Sequence, residues 1–240
     1  MKTLGLIPAR GDSKGVHRKN IRVLAGKSLL QRTFEVACEA GELDRIILST
    51  DDEEIAEVAR DLGLEVPFLR PPQLARDDAP MIDVAIHALR FLQDLDYTPD
   101  ALLLLQPTSP LRRPAHIRAA LRLLGESDSV CSVIPLPKNV CPHFVMKIGA
   151  DEFLQYFMPD GAGYTRRQDV PQAYQRDGTI YLTRTRTILE ERSFYGERCQ
   201  PLIIDLADSL NIDEPADWAE AERRFSVEKE SERRVASQCR

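Results

Sequence analysis

Six residues in the segment 10–19 have the side-chain types and spacing of a phosphate-binding loop: Arg10, Gly11, Lys14, Gly15, Arg18 and Lys19. Glycine lets a backbone turn and bring its N–H groups close to a ligand, and Arg and Lys neutralise phosphate oxygens. The segment contains neither G-x-x-x-x-G-K-[ST] nor G-x-G-x-x-G, so it is not one of the common nucleotide loops. The alternative interpretation is a solvated basic loop between a strand and a helix.

A second polar segment follows the uninterrupted apolar run at 101–105. Gln106, Thr108 and Ser109 are interspersed there with Pro107 and Pro110. Because proline cannot continue a helix, we expect the three polar side chains to stay at the carboxyl end of a buried strand. That edge is where open α/β sheets bind their ligands.

A third candidate position is Asp213, near the other end of the chain. It precedes Glu214-Pro215 and a helical pattern, which predicts a helix N-cap. A carboxylate that faces a phosphate loop is also a suitable ligand for Mg²⁺. The sequence leaves both interpretations open.

The elements that must position these segments alternate between strands and helices. The apolar patterns predict strands at 4–7, 45–49, 65–69, 101–105, 129–134, 177–182 and 202–205. Helices are predicted from Ser28 to Gly41, from Thr50 or Asp51 as N-cap to Gly63, and at 81–92, 114–124, 185–191 and 216–225. Such alternation predicts an α/β fold with a doubly wound, mostly parallel sheet.

The alternation is interrupted at 135–175, where prolines and scattered aromatic residues replace it. A structureless loop of that length is uncommon in a compact domain, which favours a small inserted excursion over an ordinary long loop. We therefore predict one domain at 1–225 that carries this excursion. The segment 226–240 is almost wholly polar and is predicted to be a tail or a frayed helix.

Composition restricts the classes of partner. The 240 residues carry a formal net charge of −6, which argues against nucleic acid or an anionic membrane as partner. The chain contains no run of roughly 18 apolar residues and no signal-peptide pattern, so a cytoplasmic location is expected. Its five cysteines are scattered, without a C-x-x-C pair, which makes disulfides and structural zinc unexpected.

The three segments together resemble the acylneuraminate cytidylyltransferases. The first motif reads Ile7-Pro-Ala-Arg-Gly-Asp-Ser-Lys-Gly15 and continues as Arg18-Lys-Asn-Ile21. The second reads Leu105-Gln-Pro-Thr-Ser-Pro-Leu-Arg112, and the third Asp208-Ser-Leu-Asn-Ile-Asp-Glu-Pro215. Asp12 and His17 depart from the first motif, in which the family usually has Gly or Asn and Pro. Neither departure removes a cation.

The resemblance implies a nucleotidyltransferase with a Rossmann-like fold that joins CTP to a nonulosonic acid, by attack of a sugar hydroxyl on the α-phosphorus. It implies catalytic roles for Arg10, Lys14 and Asp213. It implies nucleotide binding by Ala9, Arg10, Gly11, Ser13, Lys14, Lys19, Asn20, Arg70 and Pro80. It implies acceptor binding by Gln106, Thr108, Ser109, Lys147, Arg167, Gln172 and Tyr195.

The resemblance also implies a cofactor and a partner. Two acids two residues apart hold Mg²⁺ in this family, and this chain has Asn211 and Asp213 at those positions. An asparagine carbonyl can still ligate the ion or a metal-bound water, with weaker charge attraction. The excursion is expected to reach a second subunit, so a homodimer that completes the acceptor site is implied.

The base pocket leaves alternatives open. Where well-known family members have a serine that contacts cytosine, this chain reads Asp77-Asp-Ala-Pro80-Met81, without a hydroxyl. A guanylyltransferase acting on an amino-sugar 1-phosphate would satisfy the same three motifs. A non-catalytic nucleotide-binding homologue would explain Asn211, and a small-molecule kinase is the least favoured alternative because no Walker pattern is present.

Overall fold

The computed structural model describes residues 1–13 and 15–238, with side chains as far as Val227. The strands are β1 (Thr3–Pro8), β2 (Val23–Leu24), β3 (Lys27–Ser28), β4 (Arg45–Ser49), β5 (Ala101–Leu104), β6 (Ser129–Pro135), β7 (Met146–Ile148), β8 (Leu154–Tyr156), β9 (Tyr174–Arg184) and β10 (Cys199–Ile203). The α-helices are α1 (Leu29–Ala40), α2 (Glu53–Asp61), α3 (Met81–Gln93), α4 (Pro114–Leu124), α5 (Thr185–Glu190) and α6 (Pro215–Gln238).

Six strands form the central sheet, in the order β10-β6-β9-β5-β1-β4. Strand β1 pairs in parallel with β4 on one side and with β5 on the other, while β5 and β9 pair antiparallel. The mostly parallel α/β sheet predicted from the sequence is confirmed. Because β1 and β5 are parallel neighbours, the loops that follow them emerge at the same edge of the sheet.

The middle of the sheet is buried, as its unbroken apolar runs require. Leu4 and Leu6 of β1 and Leu102 and Leu104 of β5 are packed with the apolar face of α3 in one core cluster. All six residues of β1 are buried. The first and second motifs therefore start from the most rigidly packed strands of the sheet.

Helix caps agree with the sequence in α1 and differ in α2. Ser28 accepts a hydrogen bond from Gln31 N at the start of α1, and Gly41 ends that helix with a left-handed φ of 69°. The N-cap of α2 is Asp52, whose carboxylate accepts from Ile55 N, and not Thr50 or Asp51 as predicted. Helix α2 starts at Glu53, so the capping position falls one residue later.

One further prediction is wrong, and one of the two interpretations left open for Asp213 is not realised. Residues 65–69 form only isolated bridges, Ile47 to Glu65 and Thr50 to Leu69, because Pro67 lacks the N–H that a continuous ladder needs. Asp213 is not the cap of α6. The carboxylate of Asp217 accepts from the N–H groups of Asp213 and Glu214, which leaves the carboxylate of Asp213 for other partners.

The chain divides into two compact units. The first comprises Met1–Ser132 and Asp177–Arg240, and the second Val133–Arg176. The predicted excursion at 135–175 lies within the second unit, which contains the antiparallel hairpin of β7 and β8. Helix α6 continues to Gln238, through most of the segment predicted as a polar tail. In the part of the chain that the structure describes, no helix combines the length and the apolar character needed to cross a membrane.

Candidate functional site

The first motif loop leaves β1 and packs at once on the N-terminal end of α2. Ala9 N donates to Ser49 O at 3.0 Å, and Gly11 N donates to Asp51 Oδ1 at 3.1 Å. A Cβ atom at Gly11 would lie 2.4 Å from Asp52 Oδ2, so only glycine permits this close approach. Asp51 therefore fixes the loop, a role that its prediction as a helix cap did not suggest.

Arg18 is one of the four cations of the loop, but it is engaged by acids of the same helix. Its guanidinium donates to Asp52 at 2.5 and 3.2 Å and also to Glu54. The hydrogen bonds from Arg18 lower the pKa of the Asp52 carboxyl. The structure thus gives Arg18 a structural role, which leaves Arg10 and Lys19 as the described cations of the loop that line the site.

The first motif is held directly against the third. Val16 and Ile212 are buried in one apolar cluster with Trp218 of α6. A Cβ atom at Gly15 would lie 1.8 Å from Asp213 O, so the two backbones touch. Lys19 Nζ donates to Ile212 O at 2.7 Å and lies 3.5 Å from Asp213 Oδ1. Residues nearly two hundred positions apart in sequence are therefore neighbours.

The second motif is joined to the third through the same residue. Ile212 N donates to Thr108 O at 2.8 Å, so the two peptide groups that flank Ile212 bond to the first and the second motif. Arg112 anchors the loop of the second motif, because its Nε donates to Thr179 O at 2.7 Å and its Nη2 to Gln106 O at 2.8 Å. Burial lowers the pKa of the Arg112 guanidinium to about 10.

A cavity of about 280 Å³ opens where the three motifs meet, at the carboxyl ends of β1 and β5. The described residues that line it and were expected to bind a ligand are Arg10, Ser13, Lys19, Asn20, Arg70, Gln106, Thr108 and Asp213. All of them belong to the first unit. Its volume is near the lower end of the range for small-molecule sites.

Three of the four described cations that line the cavity, Lys19, Arg70 and Arg10, are buried or partly buried. Lys19 is 9% exposed, and burial lowers the pKa of its ammonium while Asp213 opposes that effect. Arg70 is also buried, donates from Nε to Ser49 Oγ at 3.0 Å, and has its pKa lowered by burial to about 10. Arg10 pairs with Asp77 across the cavity at 2.6 Å. Desolvated cations of this kind attract phosphate more strongly than exposed ones.

Other predicted residues of the first unit support the cavity or lie outside its lining. Ala9 is buried at the end of β1, and Pro80 is exposed just before α3, between the lining residues Ala79 and Met81. Ser109 is buried, and its Oγ has no hydrogen-bond partner among the described residues. Asn211 donates its side-chain amide to Asp213. The ring of Tyr195 lies 6.3 Å from that of Tyr181 on β9, and Tyr195 is not among the described residues that line the cavity.

The four remaining predicted residues are either outside the described residues or in the second unit. Lys14 lies outside the described residues. Lys147 on β7 and Arg167 are exposed side chains of the second unit. Gln172, also in that unit, donates to Leu136 O and Ala173 O at 2.9 Å, which ties its own chain segment together.

Sequence reasoning missed the acids and cations contributed by the segment 72–81. Arg76 and Asp77 line the cavity, and Asp77 meets Arg10 there. The sequence contained a signal, because Asp77 belongs to the stretch that the resemblance places at the base pocket. The inference from that stretch concerned only its missing hydroxyl. Asp12 also lines the cavity, so the negative charge noted in the first motif is at the site.

The fold and this cation-lined cavity at the edge of a parallel sheet define a nucleotidyltransferase of the Rossmann-like α/β class. Solved structures share the fold, and two of them serve as examples. One is CMP:2-keto-3-deoxy-manno-octonic acid synthetase in complex with CTP, with a TM-score of 0.70 and 17% identity over 95% of this chain and 100% of that chain. The other is 4-diphosphocytidyl-2C-methyl-D-erythritol synthase from Anaerococcus prevotii, with a TM-score of 0.62, 13% identity, and 94% and 96% of the two chains covered.

The family is narrower than the fold. The chain belongs to the cytidylyltransferase family, whose model matches residues 4–236. It is 36% identical to the CMP-N,N'-diacetyllegionaminic acid synthase of Legionella pneumophila, over 96% of this chain and 99% of that protein. It is 31% identical to the pseudaminic acid cytidylyltransferase of Campylobacter jejuni, over 96% and 99% of the two chains. It is 31% identical to the N-acylneuraminate cytidylyltransferase of Escherichia coli, over 90% of this chain but half of that protein.

Proposed function

We propose that this protein transfers CMP from CTP to a nonulosonic acid, with release of pyrophosphate. A hydroxyl oxygen of the sugar forms a bond to the α-phosphorus while the bond from that phosphorus to the bridging oxygen of pyrophosphate breaks. The observation that carries the proposal is the pair of backbone hydrogen bonds at Ile212. Its N–H donates to the second motif and its C=O accepts from the first, so all three motifs meet around one cationic cavity. Family membership and the names of the relatives supply the nucleotide and the class of acceptor.

In this proposal the first motif loop binds the triphosphate. Arg10 and Lys19 are charged donors at the cavity, which Ser13 also lines, while the N–H of Gly11 holds the loop on Asp51. Lys14 is expected to join them. Positioning and charge neutralisation account for most of the catalysis of phosphoryl transfer, so no covalent nucleophile is required.

The base is assigned to Asn20, Arg70 and the segment that ends at Pro80. Asn20 is buried, and its amide donates to Arg10 O at 3.0 Å, which ties it to a residue assigned to the phosphates. Arg70 N donates to Thr50 O at 2.7 Å, so Arg70 is attached to the end of β4. Ala9 is buried immediately after β1 and precedes Arg10.

Nucleotidyltransferases generally use a divalent metal, and the residues at the mouth of this cavity fit one. The described residues contain no group of three or more His, Cys, Asp or Glu that could form an all-protein cage. Mg²⁺ does not need one, since it is usually held by one or two carboxylates together with substrate phosphates. Asp213, with 63% of its side chain exposed, would hold Mg²⁺ with the carbonyl of Asn211. When bound, the ion neutralises charge on the phosphate oxygens.

In the first unit the acceptor is assigned to Gln106, Thr108, Ser109 and Tyr195. In the second unit Lys147, Arg167 and Gln172 are assigned to the acceptor site of a partner subunit. Arginine meets a carboxylate in a bidentate fork, which suits Arg167 to the acid group of a nonulosonic acid.

We also propose that the protein forms a homodimer through the second unit. Four large apolar side chains of its β7 to β8 region are highly exposed, namely Ile148 at 74%, Phe153 at 72%, Leu154 at 69% and Phe157 at 60%. Such a concentration of exposed apolar residues is typical of a surface that another chain covers.

Pyrophosphate release tests the proposed function. The four nucleoside triphosphates are each incubated with sialic, legionaminic and pseudaminic acids and with hexosamine 1-phosphates, with and without Mg²⁺. We expect release only with CTP, a nonulosonic acid and Mg²⁺. Release only with GTP and a hexosamine 1-phosphate would replace the proposal by the guanylyltransferase alternative. Binding of CTP without release, with every acceptor tried, would favour the non-catalytic homologue.

A further inference from the structure

A second cavity, of about 740 Å³, lies in the first unit beside α1 and α6, and none of its described lining residues also lines the nucleotide cavity. Its apolar lining includes Val36 of α1, Leu111 of the second motif and Phe225 of α6. Its volume is within the range of small-molecule sites. Neither the fold nor the proposed reaction assigns this cavity a role.

The charge of the second cavity is opposite to that of the whole chain. Five arginines line it against two acids, Glu35 and Asp208, although the chain carries a net charge of −6. Arg113 and Arg223 are the most accessible, with 59% and 65% of their side chains exposed. Arg113 pairs with Asp208 and Arg223 with Glu220. A guanidinium has five N–H donors, so one such pair leaves donors for a second anion.

The two cavities are separated by the motif loops themselves. In the second motif, Gln106 to Thr108 line the nucleotide cavity and Pro110 to Arg113 line the second one. In the third motif, Asp213 lines the nucleotide cavity and Asp208 lines the second one. Arg112 connects them directly, because it lines the second cavity and donates to Gln106 O. Movement of the second or the third motif loop would therefore change the shape of both cavities.

We propose that the second cavity is a regulatory site for a small amphipathic anion, a carboxylate carried on an alkyl or aryl body. The apolar lining accommodates the body, and the arginines at its edge bind the carboxylate. A polyphosphate suits it less well, because half of the lining residues are apolar. Binding there alters the affinity for CTP through the shared loops.

The test uses three probes that share a straight chain of ten carbons, below the concentrations at which they aggregate: decanoate, decanol and decyltrimethylammonium. Binding to the full-length protein is measured by calorimetry and by the fluorescence of Trp218, the only tryptophan, which packs with Phe225 in one apolar cluster. We expect saturable binding of decanoate, and at least tenfold weaker binding of the other two. Equal binding of decanol or of the cation, or no binding of decanoate, would overturn the proposal.

Matched variants locate the site. Val36→Trp fills the cavity and Arg223→Glu reverses one of its charges, and each is expected to weaken decanoate binding at least tenfold. Leu123→Trp and Arg122→Glu make the same kinds of change on α4, at exposed residues that do not line the cavity, and should have little effect. Should Val36→Trp fail to fold, Arg223→Glu still tests whether decanoate binds in the second cavity. Equal effects of the lining and control variants would place decanoate elsewhere.

Coupling is measured by titrating CTP with and without saturating decanoate. The two ligands should bind together, and decanoate should change the dissociation constant of CTP about fivefold or more. Linkage requires CTP to change the dissociation constant of decanoate by the same factor. Mutually exclusive binding would mean that decanoate occupies the nucleotide cavity, and an unchanged affinity for CTP would remove the regulatory role. Failure of decanoate binding would leave the pyrophosphate assay, and hence the proposed function, unaffected.

Discussion

The two units of the chain differ in how far their functional side chains are already buried and hydrogen-bonded within the unit. In the first unit, the side chains expected to bind nucleotide are anchored by buried hydrogen bonds, with Lys19 on Ile212 O and Arg70 on Ser49. In the second unit, the hairpin of β7 and β8 exposes Ile148, Phe153 and Leu154. The difference suggests that the nucleotide half of the reaction is prepared within one folded unit, whereas the acceptor half requires a covering partner.

The largest effect on the nucleotide half of the reaction is expected from Lys19→Met. The substitution removes a buried ammonium that bonds to Ile212 O and faces the phosphate cavity, while it retains the length of the apolar stem. Loss of one such donor typically lowers kcat about 10²- to 10³-fold. Steady-state pyrophosphate release measures the effect, and circular dichroism checks the fold. Lys27→Met, which removes an exposed lysine paired with Glu35, is the matched control. Activity within a fewfold of the wild type would remove Lys19 from the mechanism.

Arg167→Ala tests the acceptor half. Hydrogen bonds to a charged group contribute about 1.5–3 kcal/mol, so we expect the KM for the nonulosonic acid to rise about 10- to 100-fold. The KM for CTP should change little, because the residues that bind CTP are assigned to the other unit. Arg166→Ala, which removes the adjacent arginine and its pair with Asp169, is the control. An equal rise in both KM values would contradict the division of labour between the two units.

Phe153→Asp tests whether a partner covers the second unit. A central apolar residue of an interface typically contributes about 2 kcal/mol, so the dissociation constant of the dimer should rise about 30-fold. Sedimentation over a range of protein concentrations measures it. Leu95→Asp places the same charge at an exposed apolar position of the first unit and should leave the dimer intact. A wild-type protein that is monomeric at all concentrations would contradict the proposal outright.

Asp77→Asn tests the ion pair that crosses the nucleotide cavity. Asp77 holds Arg10 at 2.6 Å and so competes with phosphate for the same guanidinium. Partly exposed pairs contribute about 0.2–1 kcal/mol, so the variant should bind CTP about two- to fivefold more tightly, as measured by calorimetry. Glu53→Gln, which disturbs only the exposed pair with Arg60 on α2, away from the described lining of the cavity, serves as control. Weaker CTP binding by Asp77→Asn would mean that Asp77 contacts the ligand.

The sequence predicted the sheet, most helix positions and eight of the described residues that line the cavity, because apolar periodicity and motif spacing are local signals. The sequence did not predict which cations would form ion pairs or hydrogen bonds with other residues of the protein. Arg10, Arg18 and Lys19 are equivalent in a loop sequence, yet Arg18 pairs with Asp52 while Lys19 is buried on Ile212 O. That distinction depends on the position of α2 and of the third motif, which are set by tertiary packing.

Of the two interpretations that the sequence leaves open for Asp213, the helix cap is not realised. Its position before Glu214-Pro215 is typical of an N-cap, but α6 begins at Pro215, so the capping position is Glu214. The carboxylate of Asp217 accepts from the N–H groups of Asp213 and Glu214 instead. The outcome leaves the Asp213 carboxylate at the cavity, with Lys19 and Asn211 as its neighbours.

The smallest effect is expected from Arg18, the one cation of the first loop assigned to structure. Hydrogen bonds from Arg18 depress the folded-state pKa of Asp52 below its ordinary value of 3.8. Stability from this pair is therefore present above about pH 4 and is lost as the pH falls through the folded-state pKa. Arg18→Gln should lower the free energy of unfolding by about 1 kcal/mol at pH 7, in urea titrations, and the difference should shrink towards zero at low pH.

Arg60→Gln removes an exposed cation from the same helix, where it pairs with Glu53, and is the control for Arg18→Gln. Its effect at pH 7 should be smaller, because both partners of that pair are about half exposed and water screens their attraction. Turnover of Arg18→Gln, measured at saturating substrate, should stay within a fewfold of the wild type. A stability difference that is constant from pH 7 to pH 3 would contradict the assigned ion pair. A loss of turnover comparable to that of Lys19→Met would instead return Arg18 to the phosphate site.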